Sequence, residues 1–198
     1  QERGGISLVI DIQNSIKAQE SRGYEHWAKI HNLKQAARTL NFLTENRIDS
    51  YAELSAKIAE VNAANEQAAD ALKGVERRLA DMAVLIKNVT TYQNTKPVYD
   101  AYRRAKDKAA YRAAHESSII LFEAAAKAVK PALVGGKLPN VAALQAEYAK
   151  LQEQKETLCA DYGRLKKQVK EYDVIKRNID SILRRESEPE RGKENVRG

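Results

Sequence analysis

Two runs of apolar residues at heptad spacing constrain this chain more than anything else in it. From Leu54 onward, Leu54, Val61, Ala68, Val75, Met82 and Val89 fall on one register, and Ile58, Asn65, Leu72, Leu79 and Ile86 on the other; Asn65 alone among them is polar. In the C-terminal third, Leu144, Leu151, Leu158, Leu165, Tyr172 and Ile179 alternate with Tyr148, Lys155, Tyr162, Val169, Lys176 and Leu183. Residues repeated every 3.5 positions form one stripe along a helix, and each run is about 40 residues, or about 60 Å of helix at 1.5 Å per residue. An amphipathic helix of that length must bury its stripe, and the two runs can bury each other. Arms of equal length joined by about 45 residues predict an intramolecular antiparallel hairpin. Matching the ends puts Leu54 near Leu183 and Met82 near Lys155, with Lys155 and Lys176 keeping their ammonium groups in water while their stems pack. A parallel homodimer built from either run is the competing arrangement.

Local signals mark where the arms begin and end. Ser50 and Glu53 have capping-box spacing and Asn140 is a natural N-cap after the breaker VGGKLPN, so helices should start at both places. Pro97, which lacks a backbone N–H, should kink or end the first arm. The expected organisation is an N-terminal helical segment over 1–48, coiled-coil arms over about 50–95 and 141–184, a helical tip over 96–140 built from VYDAYRRAKD and AAYRAAHESSIILFEAAAKAVK, and a disordered tail over 185–198, where both charge signs mix with Pro and Gly. Within the first segment, Ile6, Val9, Ile10 and Ile16 read as a helix face, although the run VIDI leaves a strand open; Gly23 breaks it. Four prolines, nine glycines and a 31% charged content are the composition of long helices, so the fold class is all-α.

The stretch GYEHWAKIHNLKQAARTLNFL holds the one tryptophan and two of the three histidines. His26 and His31 are five residues apart and diverge by about 140° around a helix, whereas ligands on one helix favour i,i+4 spacing. His115 sits in another segment and Cys159 is the single cysteine, so no metal cluster is legible. Trp27, Ile30, Leu33, Ala37 and Leu40 recur at helical spacing, with Tyr24 and Leu43 at the ends, and read as core. Lys34 and Arg38, four apart, suit either a phosphate or a solvated face.

One cysteine makes no intramolecular disulfide and favours the cytoplasm, and no apolar run approaches the roughly 20 residues of a membrane span. A net charge of +7 and a pI near 9.4 suit a polyanionic partner, though solubility alone also accounts for them. The densest basic stretch is KPVYDAYRRAKDKAAYR: Lys96, Arg103, Arg104, Lys106, Lys108 and Arg112, against Asp100 and Asp107, interleaved with Tyr99, Tyr102 and Tyr111. Cations track a phosphate backbone while aromatic faces stack on unpaired bases, which makes this stretch the candidate single-stranded nucleic-acid site. Packing against a neighbouring helix is the commoner use of tyrosines three apart. There is no Gly-rich phosphate loop, no GxSxG elbow and no Cys/His pair within one predicted element, so no catalytic residue is assigned.

Taken together, the blocks ISLVIDIQNSIKAQESRGYEHWAKIHNLKQAARTLNFLTENRIDSYAEL, KPVYDAYRRA, AAHESSIILFEAAAKA, KLPNVAALQAEYAKL and DVIKRNIDSIL resemble the C-terminal region of relaxases, the mobilisation nucleases of conjugative and mobilisable elements in Gram-positive bacteria. The resemblance spans roughly residues 5 to 184. It implies a bacterial, cytoplasmic protein whose nuclease domain, with its tyrosine nucleophile and histidine-bound divalent metal, precedes these residues; the first residue, Gln1, suits a downstream piece of a longer reading frame. This sequence has no His-x-His pair, so no metal ligand, cofactor or nucleophile transfers to it. The implied role is accessory: holding DNA, relaxosome partners or the coupling ATPase of a secretion channel. A free-standing coiled-coil scaffold with no nucleic-acid role is the alternative.

Overall fold

The computed structural model describes residues 7–20 and 26–184, with side chains described at 7–18 and 33–183. It is built of α1 (Leu8–Glu20), α2 (His26–Glu45), α3 (Tyr51–Arg104), α4 (Lys108–Ala114), α5 (Glu116–Val129), a single 3-10 turn at Lys130–Ala132 and α6 (Val141–Arg184). No strand occurs among the described residues, and the fold is the expected all-α hairpin, with α3 and α6 as its arms. The expectations for Ile6, Gly23, Tyr24, the tail 185–198 and the side chains of His26, Trp27, Ile30 and His31 lie outside the described residues. The chain forms two compact units: one takes in residues up to Gln67 and from Tyr162 onward, the other runs from Ala68 to Asp161. The N-terminal helices share a unit with stretches of both arms.

In the α1–α2 unit the core is Leu8, Ile12, Phe42, Leu43, Ile48, Leu54, Tyr172, Ile175 and Ile179. Leu54, Ile175 and Ile179 are fully buried because α1 and α2 cover the groove that two helices alone would leave open. Phe42 meets Tyr172 edge-on, ring centroids 5.0 Å apart. The α2 face matches the expected stripe at Leu40 and Leu43 but departs from it elsewhere: Leu33 is 41% exposed and Ala37 is exposed, whereas Ala36, Thr39 and Phe42 point inward. Thr39 tolerates complete burial because its hydroxyl donates to the Gln35 carbonyl (2.8 Å) and accepts from Asn178 Nδ2 (3.3 Å). In α1 the buried face is likewise Leu8, Ile12 and Ser15, with Ile10 46% exposed.

The join between α2 and α3 follows from its backbone accounting. Arg47 takes a left-handed conformation (φ 54°), and the Ile48 N–H closes the α2 end on the Leu43 carbonyl (2.9 Å). The capping box then forms: the Glu53 N–H donates to Ser50 Oγ (3.1 Å) and the Glu53 carboxylate accepts from the Asp49 N–H (2.7 Å).

In the second unit, Val75, Leu79 and Leu151 form a small cluster with Tyr148 and Leu158, and Val89, Val129 and Leu144 form another with Met82, Leu85, Ile86, Tyr92, Leu138 and Val141. No heptad position on either arm is exposed, so the inner stripes are where the periodicity puts them. The register is not. Tyr51 Oη donates to Asp180 Oδ1 (2.9 Å) in one unit, and Lys155 Nζ pairs with Glu76 Oε1 (3.3 Å) in the other. Lys155 thus faces Glu76, six residues before the expected Met82. Sliding an antiparallel pair by about one heptad keeps both stripes in contact, so periodicity alone leaves the register undetermined, and capping and the polar partners select it.

Pro97 does not end the first arm: α3 continues through it to Arg104. The missing N–H leaves the Gln93 carbonyl without its helical donor, but Gln93 and Pro97 are both exposed, where water serves instead. Tyr92 and Tyr99, on either side of the proline, both pack on Phe122 of α5, at 4.8 and 4.1 Å between centroids, and this holds the helix through the break. The return to α6 is made by Gly135 and Gly136, with φ 57° and 75°, between the reciprocal backbone bonds of Val134 and Lys137 (3.1 Å each). Asn140 Oδ1 then accepts from the Ala143 N–H (3.2 Å), capping α6 as expected.

Candidate nucleic-acid interface

The basic stretch 96–112 occupies the last turns of α3, the joint after Arg104 and nearly all of α4, within the second unit. Alternation along a helix separates its residues. Tyr99 and Tyr102 turn inward and are half-buried, whereas Lys96, Arg103 and Arg104 are exposed. At the joint, the Ala105 N–H bonds the Tyr102 carbonyl (3.2 Å), and Asp107 in extended conformation caps α4 by accepting from the Ala110 N–H (3.0 Å). Lys106 and Lys108 flank that cap and are exposed.

The six expected cations divide into two kinds. Lys96 bonds the Asp100 carboxylate one turn on, which holds that carboxyl below its usual range. Arg112 presents both Nη atoms to Glu123 of α5, at 3.1 and 3.2 Å, and this fork, with the Tyr102 hydroxyl beside it, raises its already high pKa further. Arg103, Arg104, Lys106 and Lys108 have no carboxylate within ion-pair distance among the described residues; Arg104 Nε donates to the Asp100 carbonyl at 3.2 Å. Four cations between residues 103 and 108 therefore make no ion pair among the described residues, although Arg103 and Arg104 add to the pull on the Asp100 carboxyl, and the one acid among them, Asp107, has an oxygen committed to its helix cap.

The tyrosines make an internal ladder. Tyr99 lies on Phe122, its ring 20° from parallel; Tyr102 sits 5.8 Å from Tyr99 and 6.5 Å from Tyr111, and Tyr111 sits 4.3 Å from His115. The Arg112 guanidinium lies 5.8 Å from the Tyr102 centroid. Sequence reasoning named the tyrosines and cations but missed Phe122 and Glu123, which occupy two of them. The available signal was the burial of Phe122 on the α5 face Ile119, Phe122, Ala125, Val129, a plain i,i+3,i+6,i+10 stripe.

Among the described residues no group of three or more His, Cys, Asp or Glu is placed to hold a metal, and no helix is long and apolar enough to cross a membrane. The chain matches no family model, no curated protein and no solved structure.

Proposed function

We propose that this chain is the non-catalytic helical region of a DNA relaxase, which assists mobilisation of a plasmid or transposon by holding DNA at the joint between α3 and α4. The order and spacing of the blocks over residues 5 to 184 suggest the family. The observation that carries the DNA contact is the set of four cations, Arg103, Arg104, Lys106 and Lys108, left without carboxylate partners. Uncompensated cations gain affinity for phosphates by releasing condensed counterions. In this reading strand cleavage and its divalent metal belong to the nuclease domain of the parent relaxase, the protein works in the bacterial cytoplasm, and relaxosome proteins or the coupling ATPase are further partners. The test is fluorescence anisotropy of a labelled single-stranded oligonucleotide: binding should weaken steeply with salt and be lost in R103E/R104E/K108E, and unchanged binding in that variant would reject the joint as the contact.

A second reading, a cytoplasmic coiled-coil scaffold with no nucleic-acid role, draws on the placement of Arg103 and Arg104 in the last turn of α3, where cations are favoured by the helix dipole whatever they bind. It predicts no salt-dependent binding to DNA.

A further inference from the structure

We propose that the α3–α4 joint takes nucleic acid through its phosphates rather than by stacking on bases, so that its ligand class is any polyphosphodiester, single- or double-stranded. This rests on the nucleic-acid reading above and narrows it. Single-strand binders that use bases need aromatic faces turned to solvent. Here the faces are spent internally: Tyr99 is stacked on Phe122 at 4.1 Å, Tyr111 lies against His115 at 4.3 Å, and Tyr102 is bounded by Tyr99, Tyr111 and the Arg112 guanidinium.

The Arg112 guanidinium is withdrawn in the same way, its fork held by both oxygens of Glu123. Arg104 has its Nε committed to the Asp100 carbonyl, which leaves its terminal nitrogens. What faces solvent is Arg103, the outer part of Arg104 and the ammonium groups of Lys106 and Lys108, all exposed and set on one short joint. Ammonium groups act as point charges for phosphate, and contacts to phosphate carry no sequence information.

Three labelled probes of equal length test this with the full chain: an ordinary single strand, the same strand made abasic throughout, and a duplex. The abasic and ordinary strands should bind within about twofold of each other, because one lost stacking contact would cost about fivefold or more. Four phosphate contacts give a slope of log K against log salt of about −3 on the single strand and about −3.6 on the duplex. Abasic binding weaker by about fivefold or more, while the ordinary strand still binds in a salt-dependent manner that R103E/R104E/K108E abolishes, would overturn the inference of phosphate contact without stacking and leave the nucleic-acid reading standing. Failure of all three probes to bind would overturn both.

Discussion

The two units bury the same hairpin by different means. In the α1–α2 unit, two additional helices close over the arms, and Leu54, Ile175 and Ile179 reach complete burial inside a mainly aliphatic core. In the other unit, the stretch around Val75, Leu79 and Leu151 is two helices and nothing more, and each of these residues keeps 7–8% of its surface exposed beside an open groove lined by Ala80, Ala83, Tyr148, Gln152 and Cys159. A pair of helices buries one stripe but not its flanks; a third element is needed to finish the core. Where α5 supplies that element, its one ring, Phe122, packs on Tyr92 and Tyr99 beside the aliphatic Ile119 and Val129, and Tyr99 and Tyr102 turn inward while Arg103 and Arg104 face outward. Ion pairs occur in both units: Lys57 with Glu60 and Lys176 with Asp180 in the first, each ammonium held above its usual pKa by its carboxylate, and Lys155 with Glu76 and Arg112 with Glu123 in the second.

The largest expected effect sharpens the packing side of this contrast. Ile175→Ala removes a fully buried side chain from a core closed on all sides and should destabilise the protein by about 2–5 kcal/mol, toward the upper part of that range. Leu79→Ala, beside an open groove whose walls can relax, should cost about 2 kcal/mol, at the lower end. Urea denaturation of both variants checks the order; a Leu79 variant as damaging as the Ile175 variant would erase the distinction between the units.

A smaller effect appears with pH. Burial pushes the Tyr172 hydroxyl above its ordinary 10.0, with the neighbouring Lys57 ammonium opposing the shift and Glu60 and Glu171 adding to it. A raised folded pKa means that the folded state holds the proton more tightly, so the stabilisation is fully present below about pH 10 and is lost as pH rises through the folded value. Stability measured from pH 9 to 11 should therefore fall more steeply in the wild type than in Tyr172→Phe. Parallel curves would show that Tyr172 does not titrate against folding.

What could be read from the sequence follows the range of each interaction. The inner stripes were legible because heptad spacing is a local property of a helix, and the caps at Ser50/Glu53 and Asn140 because a side chain and an N–H three or four residues apart determine them. The register was not, since a slide of about one heptad preserves every apolar contact and Glu76 opposite Lys155 is a long-range choice. The α2 face was misread because Thr39 looks polar until Asn178, far away in sequence, satisfies it. Pro97 looks like a stop until Phe122 supports the helix on both sides of it. At the candidate site the cations were legible as a cluster. Their division into neutralised and uncompensated depended on Glu123 of another helix, and the inward turn of the tyrosines on a ring in α5.

If the proposed DNA contact lies at the α3–α4 joint, location rather than net charge governs binding. The most direct measurement compares two variants with equal charge change, R103E/R104E/K106E/K108E at the joint and K34E/R38E/K167E/K170E on exposed positions of the α1–α2 unit, by anisotropy of a labelled oligonucleotide at fixed salt. The first variant should lose binding and the second should retain it. Equal loss in both would reduce the site to the general charge of the chain, and binding that survives in the first would contradict the account outright.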